Sequence, residues 1–135
     1  MIKGKVKPLL SNYQILPIET TFDWNNLFKN IDGETFFLVV FRSKARKNTD
    51  RKLLHEYDKR ALIEAEKAGG LIYYFSGEIN ENGECLSWCL WDDRLKAKFA
   101  SALPDHSKAM AIANTMYEYY NLERYLICNL TFEKL

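Results

Sequence analysis

An excess of charge of either sign is missing from this chain. Nineteen Lys and Arg stand against eighteen Asp and Glu, a net +1 over 135 residues. Whole-chain charge therefore gives no case for nucleic acid or a membrane surface as partner. Long apolar runs are missing too. No stretch approaches the ~20 residues that a bilayer-spanning helix needs, and the N-terminus lacks the apolar core of a signal peptide. Histidine is scarce, with two residues, and cysteine stops at three. Cys85 and Cys89 stand four apart in a predicted strand, so they share a face with Cα atoms roughly 13 Å apart, too far for a disulfide's limit of about 7 Å. Neither that spacing nor two histidines makes a metal site of the zinc type. The reading is a reduced protein in a cytoplasmic setting. No internal repeat or low-complexity tract interrupts it.

Apolar residues are plentiful. They make up 47% of the chain, and aromatics alone make 14%, ample for one domain with a real core. The organising stretch is Thr35 to Ser43, TFFLVVFRS. Side chains alternate along a strand, so Thr35, Phe37, Val39 and Phe41 form one face and Phe36, Leu38, Val40 and Arg42 the other. A strand with one wet face shows polar residues at every second position. Here both sets are apolar until the run ends on Arg42, which predicts burial on both sides.

Residues 1–34 read as an N-terminal arm docked on a domain of residues 35–135. Lys3, Lys5 and Lys7 alternate with small or apolar residues, and Pro8 and Pro17 break any long helix. Phe22, Trp24, Leu27, Phe28 and Ile31 are too apolar to hang free, and Asp23 can cap a helix of about two turns. The arm is either a cover for exposed core or a lid over a ligand. After the first strand, Lys44 to Asp50 is a polar connection. With Arg42, Arg51 and Lys52 it makes a basic cluster, either a solvated loop or an anion site.

Asp50 caps a predicted helix to Ala68, with Leu54, Tyr57, Ala61, Ala65 and Ala68 on one stripe and Gly69-Gly70 as its stop. Asp58 lies beside the stripe; His55 falls off it and is expected exposed. Leu71 to Glu78 is the second strand, Asn82-Gly83 a hairpin turn, and Glu84 to Trp91 the third strand. That strand puts Cys85, Ser87, Cys89 and Trp91 on one side, Leu86, Trp88 and Leu90 on the other. A short helix through about Ala102 follows. Pro104-Asp105 then starts a second helix, His106 to Tyr120, and Leu122 to Phe132 is the last strand. The order β-α-β-β-α-β predicts an α+β, ferredoxin-like fold with an antiparallel sheet, the third strand between the first two and the fourth beside the first. Two helices on one side leave the other apolar face uncovered. Burial there is worth about 1.5–3 kcal/mol per large side chain. A second copy packed sheet on sheet is the simplest cover and predicts a homodimer; the arm is the competitor.

The stretches ETFFLVVFRS, EAEKAGGLIYYFSGE and CLSWCLWDDRLKAKFASALPDHSKAMAIANTMYEYYNLERYLI resemble an uncharacterised family of small fungal and bacterial proteins. That family is similar to the dimeric α+β barrel group, which includes antibiotic-biosynthesis and haem-degrading monooxygenases. The resemblance covers roughly residues 34 to 127 and implies chemistry in a shaped apolar pocket, without metal or flavin. The haem degraders combine an Asn on the first strand, a Trp on the third and a His on the second helical region. Trp88 and His106 stand in comparable elements, but the first strand has no Asn, so that set is incomplete and no cofactor is expected.

His106, at the first turn of a helix whose N-terminus disfavours imidazolium, is the candidate catalytic base; otherwise it caps or packs. Arg42, Tyr74, Trp88 and Asp58 are the ligand-binding candidates. Arg42 either clamps an anion or forms a structural ion pair, with Asp58 as the partner to test. Trp88 and Trp91 fall on opposite faces, as do Tyr73 and Tyr74, so one of each pair at most lines a given pocket. The resulting expectation is a small-molecule-binding homodimer, of the cofactor-free monooxygenase kind, acting on an apolar or aromatic compound between sheet and helices. The alternative is a non-catalytic dimeric or partner-binding module.

Overall fold

The central strand, β1 (Thr35–Ala45), is flanked on both sides by partners. The computed structural model describes residues 6–135; Lys3 and Lys5 lie outside the described residues. Before β1 the arm holds a 3-10 turn, Tyr13–Ile15, and two short helices, α1 (Ile18–Thr21) and α2 (Trp24–Lys29). After it come α3 (Arg51–Ala68), β2 (Leu71–Ser76), β3 (Glu84–Trp91), α4 (Arg94–Ser101), α5 (Pro104–Met116), β4 (Tyr117–Cys128) and β5 (Thr131–Lys134). The sheet is five-stranded in the order β2-β3-β1-β4-β5. Every pairing in it is antiparallel. The fold is α+β and ferredoxin-like, with the third strand between the first two and the fourth beside the first.

Local chemistry sets the boundaries. The Asp50 carboxylate accepts from the Leu53 amide at 3.0 Å, which satisfies an orphan donor of the first turn of α3. Gly69 and Gly70 end that helix with φ of 85° and 84°, a region that L side chains rarely enter. Asp23 caps α2 through the Asn26 amide at 3.1 Å. Helix α5 starts two residues earlier than the sequence suggests, with Pro104 at its first position, where a missing N–H costs nothing. It also ends earlier. Tyr117 to Tyr120, expected as helix, open β4 instead, paired against the end of β1. The aromatic, strand-favouring YEYY run has a partner strand waiting, and sheet pairing wins over helical periodicity. Asn121, just past the predicted helix end, pairs opposite Arg42 in the sheet. The last predicted strand is two: Asn129 and Leu130, with φ of 49° and 63°, turn the chain back into β5.

Both faces of β1 are buried, by different means. On one, α3 and α4 bury Phe37 and half-bury Val39 and Phe41. On the other, Phe36, Leu38 and Val40 meet the arm. Tyr13, Ile18, Phe22, Trp24 and Leu27 bury themselves there around Trp88, which is 0% exposed. Phe22 lies edge-on to Trp88 at 5.4 Å, and Trp24 tilts against it at 5.0 Å. Each ring is worth about 1.5–3 kcal/mol by burial alone. The face assigned from sequence to a second copy is therefore closed within one chain by the competing cover, the arm.

Candidate functional site

Residues alternating toward the helices leave a space between α3, α5 and the sheet. It is a cavity of about 270 Å³, just under the usual range for drug-sized ligands. Its floor comes from β3, which presents Cys85, Ser87, Cys89 and Trp91 on that side, and from Phe41 of β1. Small residues of the helices, among them Ala61, Ala65 and Ala113, keep its roof thin. Those alanines let the helix backbones approach the sheet without filling the gap.

Asp58 reaches the cavity from α3. Among the described residues it has no hydrogen-bond or ion-pair partner. Its surface is open because a water-sized space lies before it. Burial of the surrounding walls still lifts its pKa to about 6, with the neighbouring His55 opposing that shift. Three tyrosines face the same charge. Tyr74 of β2 and Tyr117 and Tyr120 of β4 have their pKa values raised, first by burial and then by Asp58. Their hydroxyls stay protonated throughout the physiological range. Ser87 and Ser76, near the Tyr74 hydroxyl, oppose part of the rise in its pKa. Tyr120 tilts against its neighbours, with ring centroids 5.3 Å from Tyr117 and 6.2 Å from Phe41, so the rings line one wall.

His106 lines the cavity from the first turn of α5. Burial lowers its pKa, with the Glu64 charge opposing, so its ring is neutral at neutral pH. Desolvation is thus the leading cause, where helix position alone had suggested it. Its Nδ1 is buried and has no hydrogen-bond partner among the described residues. The Glu64 carboxylate caps α5 from outside, accepting the Asp105 and His106 amides at 3.1 Å each. Cys89, fully enclosed, has its thiol pushed up to about 12 by burial, against a hydrogen bond from Trp91.

The structure thus brings Asp58, Tyr74 and His106 of the sequence candidates to one cavity. It puts Arg42 and Trp88 on the other side of the sheet. Arg42 does not pair with Asp58: its Nε meets Glu123 at 2.6 Å, and its remaining donors reach the Gln14 and Leu16 carbonyls of the arm at 3.1 and 2.8 Å. Arg42 therefore ties the arm down and leaves the basic cluster. Trp88, buried under the arm, cannot meet His106 across the sheet, so the haem-type pairing of these two residues is geometrically closed. Tyr117 and Tyr120 were missed. They share a side despite odd spacing because the register shifts at Ala45, which pairs with Tyr117 while Lys44 pairs with Tyr119. Nothing in the local sequence announces that shift. Among the described residues no group of three or more His, Cys, Asp or Glu could hold a metal ion, and no helix is long and apolar enough to cross a membrane.

A family model described as PB2B2.08-like matches residues 4–133. The chain belongs to the PB2B2.08-like family. A curated relative, UPF0643 protein PB2B2.08 of Schizosaccharomyces pombe, is 27% identical over 103 residues, which cover 72% of this chain and 47% of that protein. The chain therefore spans about half the length of the relative it matches. Among solved structures, a protein from Bacteroides fragilis described as dimeric, ferredoxin-like and of unknown function aligns with a TM-score of 0.54 at 17% identity. The alignment covers 68% of this chain and 96% of that one. SnoaB of Streptomyces nogalater, described as a cofactor-independent oxygenase, aligns with a TM-score of 0.52 at 11% identity, over 70% of this chain and 92% of that one. At such identities the likeness is one of fold.

Proposed function

We propose that this family member binds a small, mainly apolar or aromatic compound between the sheet and helices α3 and α5, and acts on it as a cofactor-free, monooxygenase-like enzyme. The observation that carries this reading is the cavity itself, where an unpaired carboxylate and protonated phenols converge on an aromatic floor. Asp58 and His106 are the groups able to take a proton near neutral pH, and the tyrosine hydroxyls can donate to an oxygen that gains charge. The likeness to SnoaB supports the reaction class at the level of fold. Three free thiols fit a reducing, cytoplasmic setting. The test is chemical-shift mapping of the full chain with small aromatic probes. Shifts gathered on Tyr74, Tyr117, Tyr120 and His106 are expected. Shifts that avoid those residues, or none with any probe, would remove the proposal.

A second reading, a non-catalytic dimeric or partner-binding module, rests on α4. Leu95 and Phe99, one turn apart, are 73% and 61% exposed. With the arm side of the sheet already covered, this pair offers an apolar surface to a second copy. The dimeric description of the Bacteroides fragilis protein supports such an assembly. Light scattering decides it: twice the chain mass, restored to one by Phe99→Glu, favours self-association through α4. A single-chain mass rules it out.

A further inference from the structure

Two other acidic residues that flank Asp58 on α3, Glu56 and Glu64, have partners, and Glu66, which has none among the described residues, does not line the cavity. Glu56 pairs with Arg60, and Glu64 caps α5. Asp58, between them, has none among the described residues. The charged and titratable groups that share its cavity are Arg51, His55 and Tyr57 on its own helix, His106 on α5, Cys85 and Cys89 on β3, and Tyr74, Tyr117 and Tyr120 on the sheet. Of these, only His55 eases its ionisation. Arg51 stands two turns back along the helix, about 10 Å away by rise alone, and does not pair with it. The carboxylate is open to the cavity, and the partial burial that lifts its pKa makes pairing with an arriving cation favourable. The rings around it are neutral and rich in π-electron density, with Phe41, Tyr120 and Tyr117 in contact. A carboxylate with aromatic walls is the recognition chemistry of an organic cation. An anion would be repelled, and a neutral ligand would leave the carboxylate unpaired.

We infer that the cavity takes an amine carried on a small apolar or aromatic body, its ammonium group paired with Asp58 and its body against Phe41, Tyr117 and Tyr120. This rests on reading the cavity as a small-molecule site, and names the substrate class. Calorimetric titration of the full chain with benzylamine, benzyl alcohol and benzoate separates the two ideas, because the three probes share a ring and differ in charge. Benzylamine should bind at least tenfold more tightly than benzyl alcohol, with benzoate weakest. Asp58→Asn should bring the amine down to the alcohol's affinity and leave the alcohol's own affinity standing, which also shows that the variant folds. Between about pH 7 and pH 5 the amine should weaken about tenfold as Asp58 takes its proton. Equal binding of amine and alcohol, or benzoate binding best through Arg51, overturns the amine inference while the cavity stands. No binding by any of the three overturns both.

Discussion

The two sides of one sheet are buried by opposite strategies. On the arm side, rings from separate segments fill the space around Trp88, and Arg42 is satisfied three times over. On the helix side, small alanine side chains leave a gap between cover and floor, and among the described residues Asp58 faces that gap without a hydrogen-bond or ion-pair partner. The same strand, β1, serves both. The arm side reads as built for stability. The helix side keeps an unpaired carboxylate at the expense of stability, the pattern expected of a site. Four measurements break or sharpen this contrast.

The largest effect is expected on the filled side. Trp88→Ala removes a fully buried ring that touches Phe22, Trp24, Tyr73 and Phe75. It should cost about 3–5 kcal/mol in denaturant unfolding. A loss below about 1 kcal/mol would mean that the arm does not hold the packing described.

Arg42→Met comes next. It leaves Glu123 with the Tyr125 hydroxyl but no cation, and takes the Arg42 donors from the Gln14 and Leu16 carbonyls; a loss of about 2 kcal/mol is expected for a half-buried pair. The sign of its pH dependence is fixed. Burial works against ionisation of Glu123, but hydrogen bonds from Tyr125 and Arg42 prevail and hold its carboxyl below the usual 4.5. The stabilisation is present above that value and is lost as pH falls through the lowered one. The gap between parent and variant should therefore narrow in acid. A gap that widens would assign the arm's tether to another contact.

How much of this contrast was readable in advance follows from what local rules encode. The alternation of TFFLVVFRS separates Phe36, Leu38 and Val40 from Phe37, Val39 and Phe41, and the two clusters keep that division. Asp50, Gly69 and Gly70 mark helix α3 because caps are local chemistry. What covers the second face was not readable, since a docked arm and a second copy satisfy the same apolar residues equally well. Arg42 has the same ambiguity: an arginine at a strand's end needs an acid, but only tertiary structure says Glu123 and not Asp58. The site was legible where alternation applied, as for Tyr74 and Cys89. It was hidden at Tyr117 and Tyr120, where a non-local register shift moves residues between faces.

Asp58→Asn tests the open side, with a gain where the arm-side changes give losses. Its folded pKa, about 6, lies above the ordinary 3.8. The protonated form is thus favoured in the fold, and stability is lost as pH rises through that range. Asparagine escapes the loss. The variant should be more stable than its parent near neutral pH, by up to about 1 kcal/mol once solvent screening of an open carboxylate is allowed for. The advantage should vanish below about pH 4. A variant less stable at neutral pH would show that Asp58 has a structural partner after all, and the case for a site would weaken with it.

The finest test makes one change on each side. Tyr13 and Tyr120 both carry hydroxyls in largely enclosed surroundings, but their duties differ. The Tyr13 oxygen accepts the Glu78 amide at 2.9 Å and so pins the arm to the end of β2. Tyr13→Phe orphans that amide and should cost about 1 kcal/mol. The Tyr120 hydroxyl faces the cavity, near the Asp58 charge. Tyr120→Phe should leave stability within about 0.5 kcal/mol, as expected when no partner group is stranded. Thermal unfolding of the two variants side by side reads the difference directly. Equal losses would mean that the Tyr120 oxygen serves the fold as the Tyr13 oxygen does, and the distinction between a sealed side and a receptive one would have no energetic basis. Unequal losses in the stated order leave the Tyr120 hydroxyl free for a ligand.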